Sequence, residues 1–232
     1  MMSYPGADGT VPGYLAVPAG STGPWPGVVV IHEAFGLNDD IRGKADFLAE
    51  HGYLALAPDL YGGKSWIRCV VGAFRQLRAG TGPAFDVLDA ARGFLAGRAD
   101  CTGPVGVIGF CMGGGFALMC APREGFGASS VNYGEVPRDA EQALAGACPV
   151  VASFGGRDKG MRKGTPETLE RALTVLEIPH DVKEYPGSGH RFMTRSSGAG
   201  VVLAKVTGMS YQKEDAADAW DRIYAFFAQH LR

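Results

Sequence analysis

The decisive stretch of the sequence is Val105-Gly106-Val107-Ile108-Gly109-Phe110-Cys111-Met112-Gly113-Gly114-Gly115. Its first half, residues 105–109, is short, apolar and rich in β-branched side chains, which is typical of a buried strand. Its second half leads into an apolar run at 116–120 that favours a helix. The stretch therefore predicts a strand, a sharp turn with Cys111 at its apex, and a helix. This pattern is the G-x-S-x-G nucleophile elbow with cysteine in the place of serine.

Physical constraints explain the glycines and the cysteine of this turn. A turn that strains the backbone leaves no room for side chains two residues to either side. The helix that begins there directs free N–H groups and its positive dipole end toward the thiol, which favours the thiolate. The alternative is a small buried cysteine in a glycine-rich turn, because G-x-C-x-G by itself also occurs by chance.

Short apolar runs alternate with amphipathic segments along the rest of the chain. We predict further strands at 27–31, 53–57, 129–133, 150–154 and 181–185. We predict a helix that Asp39 or Asp40 caps, a helix that begins at Pro83, and helices over 166–176 and 216–231. This alternation favours an α/β fold with a mainly parallel central sheet and helices on both faces, formed by residues 1–232 as a single domain. The segment 61–82 is the least regular, and we consider it a partial lid.

The composition narrows the class of protein. The 22 Lys and Arg residues nearly balance 24 Asp and Glu, so the net charge is −2 and the basic surface of a nucleic-acid binder is not expected. No apolar run approaches the roughly 18 residues that a membrane helix needs. The first six residues show neither the basic nor the apolar region of a secretion signal. We therefore expect a soluble, cytoplasmic protein without a membrane or nucleic-acid partner.

The cysteines and histidines do not form a structural framework. The cysteine count is odd, no pair has CxxC spacing, and the five histidines show no HxxxH or HExxH relation. Neither disulfides nor a metal site are expected, so a functional cysteine would act singly as a thiol. The five cysteines are Cys69, Cys101, Cys111, Cys120 and Cys148.

Two polar residues follow later predicted strands. Asp158 comes just after the strand at 150–154, and His190 follows the strand at 181–185. The carboxyl ends of strands are where open parallel sheets bind ligands. A lone aspartate is usually a cap and a lone histidine is usually core or surface. The order Cys111, acid, histidine is nevertheless the order of a catalytic triad in the α/β-hydrolase arrangement.

With these residues in view, the chain resembles the dienelactone hydrolase family of α/β-hydrolases from Pro26 to the last predicted helix. The segments that carry the resemblance are His32-Glu33-Ala34-Phe35-Gly36-Leu37-Asn38, Ala57-Pro58-Asp59-Leu60-Tyr61, Gly109-Phe110-Cys111-Met112-Gly113-Gly114, Tyr133-Gly134, Gly155-Gly156-Arg157-Asp158 and Tyr185-Pro186-Gly187-Ser188-Gly189-His190-Arg191-Phe192. The resemblance implies an enzyme without a cofactor that opens a small-molecule enol-lactone or ester through an acyl-enzyme. It also implies a carboxymethylenebutenolidase-like activity in the degradation of aromatic compounds.

The catalytic roles follow from the chemistry of such a triad. Cys111 attacks the carbonyl carbon, His190 acts as base and then as acid, and Asp158 fixes the histidine tautomer. The oxyanion hole is expected to combine the backbone N–H groups of Met112 and Ala34.

Glu33 is the fourth predicted catalytic residue. A carboxylate at the end of a buried strand beside the nucleophile is an unusual structural choice. The resemblance implies that Glu33 contacts the resting thiol and takes part in its activation by substrate. The alternative is an ordinary loop salt bridge.

Arginines are the predicted partners of a substrate carboxylate, since a guanidinium binds that group bidentately. Besides Arg68 and Arg75, the candidates in and beyond the irregular segment are Arg78, Arg191 and Arg195. The family places the second arginine four residues after the histidine, where this chain has Thr194. Tyr133 is expected at the border of the pocket.

Other functions compete with this hypothesis. A promiscuous carboxylesterase or thioesterase would use the same triad with a different pocket. A non-hydrolytic ligand-binding protein would be expected to have a broken triad. A redox-sensing thiol would need a resolving cysteine, for which Cys120 is poorly placed, two turns down the same predicted helix. We expect a monomer or a small homo-oligomer.

Overall fold

The centre of the molecule is an eight-stranded sheet with the order β1-β2-β4-β3-β5-β6-β7-β8. A computed structural model describes residues 1–7, 9–20, 22–195 and 211–231. The strands are β1 Met2–Gly6, β2 Gly9–Ala16, β3 Trp25–Ile31, β4 Leu54–Pro58, β5 Cys101–Phe110, β6 Phe126–Asn132, β7 Val150–Gly155 and β8 His180–Tyr185. The strands from β3 to β8 pair in parallel, whereas β1 and β2 are antiparallel. The predicted mainly parallel sheet is confirmed.

Helices cover both faces of this sheet. In the described ranges they are α1 Asp39–Glu50, α2 Trp66–Ala79, α3 Pro83–Ala96, α4 Met112–Cys120, α5 Ala140–Ala143, α6 Thr165–Val175 and α7 Lys213–His230. Val28 and Val30 of β3 pack in one core cluster with α1 and α7, while Val29 and Ile31 pack in a second cluster with α2, α3 and α4. A third cluster joins β6 and β7 to α5 and α6. None of these described helices is both long and apolar enough to cross a membrane.

The segment that we expected to be irregular contains the 14-residue helix α2. Ala73 and Leu77 of α2 are buried, and its arginines lie on the exposed side. Arginine favours helices, and a narrow buried stripe is enough to dock one. The expectation was wrong because the charged face of α2 obscured that stripe.

The start of α1 also differs from the prediction. Asn38 is the N-cap, and its side chain accepts a hydrogen bond from the backbone N–H of Ile41 at 3.1 Å. Asp39 and Asp40 instead lie in the first turn, where their negative charge stabilises the helix dipole. The short amide of Asn38 suits this capping role equally well.

Helix α4 begins at Met112, four residues before the predicted run, and includes three glycines. A Cβ on Gly113 would lie 2.4 Å from the carbonyl oxygen of Ile31, and one on Gly114 would lie 2.7 Å from that of Asn132. Glycine therefore allows α4 to rest directly on the ends of β3 and β6. Packing outweighs the low helix propensity of these residues.

This contact predicts opposite effects for two helical glycines. Gly113→Ala should lower the free energy of unfolding by about 3 kcal/mol, because the backbone of β3 cannot move aside. Gly93→Ala in α3 should raise it by about 0.5–1 kcal/mol through helix propensity, since Gly93 is exposed and a Cβ there meets no atom within 4 Å. Urea unfolding of both variants measures the difference, and equal effects would contradict the packing argument.

Candidate active site

Cys111 lies at the apex of the turn between β5 and α4. Its backbone has φ 54° and ψ −118°, a conformation that costs a non-glycine residue about 1–3 kcal/mol. Two backbone hydrogen bonds hold it there: the Cys111 N–H donates to the carbonyl of Asn132 at 3.0 Å, and the Gly114 N–H donates to the Cys111 carbonyl at 2.9 Å. The surrounding structure thus fixes the thiol at the carboxyl edge of the sheet.

The ends of β7 and β8 bring Asp158 and His190 to the same edge. The Nδ1 of His190 lies 2.5 Å from Oδ2 of Asp158, whose side chain is fully covered. The other oxygen, Oδ1, accepts a hydrogen bond from the Gly160 N–H at 2.8 Å. Both carboxylate oxygens of Asp158 therefore have a partner: Oδ1 is held by the backbone, and Oδ2 orients the imidazole.

The electrostatic surroundings of His190 favour its protonated form. Burial lowers the pKa of the imidazole, but hydrogen bonds to the side chains of Asp158 and Cys111, together with their charges, raise it by more, to about 10. The three predicted residues therefore interact in series, from the carboxylate through the imidazole to the sulfur. A proton is more stable on this imidazole than on an ordinary histidine.

Glu33 is buried next to this series, with 1% of its surface exposed. Arg191 approaches its Oε2 through Nε at 2.8 Å and Nη2 at 2.7 Å. The hydroxyl of Thr194 donates to Oε1 at 2.9 Å. Sequence reasoning did not identify this pairing, since 158 residues separate Arg191 from Glu33.

The Thr194 hydroxyl is the centre of a buried polar network. It donates its proton to Glu33 and accepts hydrogen bonds from Lys44 Nζ at 3.2 Å and from the Tyr133 hydroxyl at 3.0 Å. A hydroxyl has one donor and two acceptor positions, and all three positions of the Thr194 hydroxyl are occupied. These three partners fix the orientation of the hydroxyl. Lys44 also pairs with Asp40. The hydroxyl thus stands where the family pattern has an arginine.

His32, for which we predicted no role, orients the peptide between Glu33 and Ala34. Its Nε2 accepts a hydrogen bond from the Leu60 N–H at 3.2 Å, so the proton lies on Nδ1 and is donated to the Glu33 carbonyl at 2.6 Å. Burial lowers the pKa of His32, which keeps it neutral. In a trans peptide the N–H points away from the carbonyl, so His32 directs the Ala34 N–H to the opposite side.

The other predicted residues occupy different places. Met112 is the first residue of α4, where backbone N–H groups have no partner within the helix. Tyr133 is buried, and its ring contacts the His190 ring edge-on at 5.2 Å. Arg78 is exposed and pairs with Glu135 at 3.0 Å. Arg195 is also exposed and contacts the Tyr211 hydroxyl at 3.4 Å.

A cavity of about 830 Å³ opens beside the thiol. Cys111, Met112, Tyr133, His190 and Arg78 contribute to its wall. Arg68 and Arg75 lie exposed on α2. Within the part of the chain that the structure describes, no group of three or more His, Cys, Asp or Glu side chains is arranged to hold a metal ion.

Comparisons with known proteins identify the family of the chain. Residues 11–231 match the model of the dienelactone hydrolase family. A provisionally named carboxymethylenebutenolidase of Methylorubrum extorquens is 29% identical, covering 99% of this chain and 80% of its own. Its counterpart in Escherichia coli K12 is 28% identical, with 98% and 86% covered.

Solved structures are similar over the same length. A provisionally named dienelactone hydrolase from Klebsiella pneumoniae has a TM-score of 0.82 and 27% identity, covering 99% of this chain and 97% of its own. An acylaminoacyl peptidase, 14% identical over 99% of this chain and 41% of its own, shares the fold with a TM-score of 0.73. The chain has the α/β-hydrolase fold and belongs to the dienelactone hydrolase family of hydrolases.

Proposed function

We propose that the chain is a carboxylic ester hydrolase that opens a small enol-lactone or ester through a thioester on Cys111. The observation that carries this proposal is the series of contacts from Asp158 through His190 to Cys111 at the wall of one cavity. A buried structural cysteine would not need a strained backbone, a histidine partner and access to a cavity together. In the proposed reaction, side chains and backbone groups of this chain act on the substrate and on water.

The first half of the reaction acylates the enzyme. The Cys111 sulfur gives its proton to His190, whose raised pKa favours the transfer, and attacks the substrate carbonyl carbon. The new C–S bond moves the carbonyl electron pair onto oxygen. When the tetrahedral intermediate collapses, the C–O bond to the leaving oxygen breaks and His190 protonates that oxygen. The product of this half is a thioester.

The second half releases the acid. His190, now neutral, takes a proton from a water molecule as that water attacks the thioester carbonyl. The C–S bond breaks, the carboxylic acid leaves, and His190 returns its proton to the departing sulfur. Asp158 holds the imidazole in the tautomer that both halves require, with the proton on Nδ1.

The backbone N–H groups of Met112 and Ala34 form the proposed oxyanion hole. The first belongs to the start of α4, where the dipole end is positive. The second belongs to the peptide that His32 orients, and the Gly36 N–H holds the same Glu33 carbonyl at 3.2 Å. Two fixed donors of this kind stabilise a developing oxyanion because they need no reorganisation during the reaction.

Arg191, which directly follows His190 in the chain, is a candidate partner of a substrate carboxylate, and its charge interacts with that of Cys111. Its guanidinium already pairs with Glu33, so a substrate carboxylate would have to compete with Glu33 for it. Such competition would free Glu33 to act on the thiol, as the family resemblance implies. A carboxylate-bearing lactone is therefore the first of the two substrate classes that we propose.

The same ion pair supports a second candidate function. Because Glu33 neutralises Arg191 and Glu135 neutralises Arg78, a neutral ester meets no uncompensated arginine at these two positions. A carboxylesterase or thioesterase of broad specificity would need only the triad and the cavity.

Turnover of dienelactone and of a neutral aryl ester tests the proposal. Cys111→Ala should lower kcat/KM for either substrate by about a thousandfold or more, since Cys111 is the thiol that contacts His190 among the described residues. Brisk turnover of dienelactone supports the carboxylate-bearing class, and turnover of the aryl ester alone supports the second candidate. If Cys111→Ala is as active as the wild type, the nucleophile is assigned wrongly.

The pKa of His190 predicts a pH-dependent stability. The folded pKa of about 10 exceeds the usual value near 6.5, so the contribution of His190 is full below pH 6.5 and is lost as the pH rises through about 10. The Tm difference between wild type and His190→Asn should be largest at pH 6 and smallest above pH 10. A difference that is independent of pH would contradict the ion-pair arrangement.

Thr194 is predicted to position Glu33. Thr194→Val should lower the free energy of unfolding by about 1–3 kcal/mol, because Glu33 loses a hydrogen bond in a buried site. Thr194→Val should also lower kcat. Thr194→Ser, which keeps the hydroxyl, should retain most of the stability and most of the kcat of the wild type. Equal behaviour of the two variants in thermal unfolding and kinetics would show that the hydroxyl is dispensable.

A further inference from the structure

The cavity beside Cys111 lies between two of the hydrophobic core clusters, the one around α2, α3 and α4 and the one around α5 and α6. Phe74 of α2 and Met119 of α4 belong to the margin of one cluster, and Met161, which follows β7, belongs to the margin of the other. All three are half-buried and line the cavity. With Leu77 and Val136, they form what we call the apolar arm of the cavity.

Charged residues also line the cavity. Arg78 on α2 and Glu135 in the loop after β6 both line the cavity and pair across it at 3.0 Å. This ion pair neutralises Arg78 and Glu135. The other charged residues of the lining, Arg138, Asp139 and Arg162, are exposed, whereas the side chains of the apolar arm are half-buried or buried. Two of those side chains are methionines, whose flexible thioethers adapt to ligands of different shape.

The volume of the cavity exceeds the needs of a compact lactone. At about 830 Å³ it falls in the upper part of the range, about 300–1,000 Å³, that is usual for drug-sized ligands. A single five-membered lactone ring bound at Cys111 would leave most of the arm filled with water. Apolar walls in contact with water favour a ligand that displaces it.

We propose that the apolar arm is a subsite for a bulky apolar group on the acyl side of the substrate, so that the enzyme prefers esters with an alkyl or aryl acyl group over acetyl-sized ones. The proposal rests on the proposed thioester chemistry at Cys111 and specifies its substrate class. Binding energy gained in the arm holds the carbonyl against the sulfur, which raises kcat/KM. The arm selects the length and polarity of the acyl group, but its flexible methionines accept different shapes.

Hydrolysis of p-nitrophenyl hexanoate and p-nitrophenyl acetate tests this preference. After division by the uncatalysed rates, kcat/KM should favour hexanoate by at least about tenfold, because each buried methylene contributes roughly fourfold. Ala143→Phe, which fills the cavity from α5, should lower that ratio by at least about fivefold through lost burial. Ala145→Phe makes the same change at an exposed position nearby and should leave the ratio unchanged. A wild-type ratio near one, or equal ratios in both variants, would overturn the proposal.

A binding measurement keeps the two proposals distinguishable. By calorimetry, Cys111→Ala should bind hexanoate more tightly than acetate, and adding Ala143→Phe should abolish that difference. If hydrolysis independent of Cys111 overturns the thioester chemistry, this binding preference still tests the arm. Equal affinity for both acids would overturn the subsite whatever the kinetics show.

Discussion

The position of Cys111 depends on the close contact between the Gly113 backbone and the carbonyl of Ile31. Because Gly113 has no Cβ, the first turn of α4 rests on the end of β3. In this arrangement Cys111, the residue before α4, has a φ of 54°. A Cβ at Gly109 would lie 1.8 Å from the Gly113 carbonyl oxygen, so the strand side of the turn is equally restricted. The core thus stores strain at one residue, and that strain exposes a thiol at the start of a helix.

A second strained residue, Arg191, lets two consecutive side chains contact two different carboxylates. Arg191 has a φ of 64°, and this turn sends His190 to Asp158 while Arg191 reaches Glu33. Two opposite-charge pairs therefore lie side by side around the thiol. Each carboxylate is buried and would be unstable without its cationic partner. The chemistry that we propose exploits this balance, because a substrate that disturbs one pair alters the field at the other.

The sequence predicted the parts of the site that follow from chain order. Cys111, Asp158 and His190 each follow a strand of a parallel sheet, so their meeting at one edge could be expected from local patterns. The ion pair between Arg191 and Glu33 could not, since it joins distant segments and depends on a positive φ. His32 lay inside a recognised motif, but its role depends on the Leu60 N–H, which only the fold brings near.

Secondary structure was missed where local signals were mixed. The amphipathic stripe of α2 was obscured by arginines, and Asn38 was overlooked beside two aspartates that could cap equally well. The antiparallel strands β1 and β2 contain glycine and proline, which weaken a strand pattern even at the edge of a sheet. In each case long-range packing selected among local possibilities that were close in energy.

Trapping the acyl-enzyme shows directly whether Cys111 is the nucleophile. The wild type is mixed with an aryl ester, quenched with acid during turnover, and analysed by mass spectrometry of the intact chain and its peptides. We expect one added acyl group on the peptide that contains Cys111, removed by hydroxylamine as a thioester is, and absent from Cys111→Ala. Steady turnover with the acyl group on another residue, or with an equal adduct in Cys111→Ala, would contradict it.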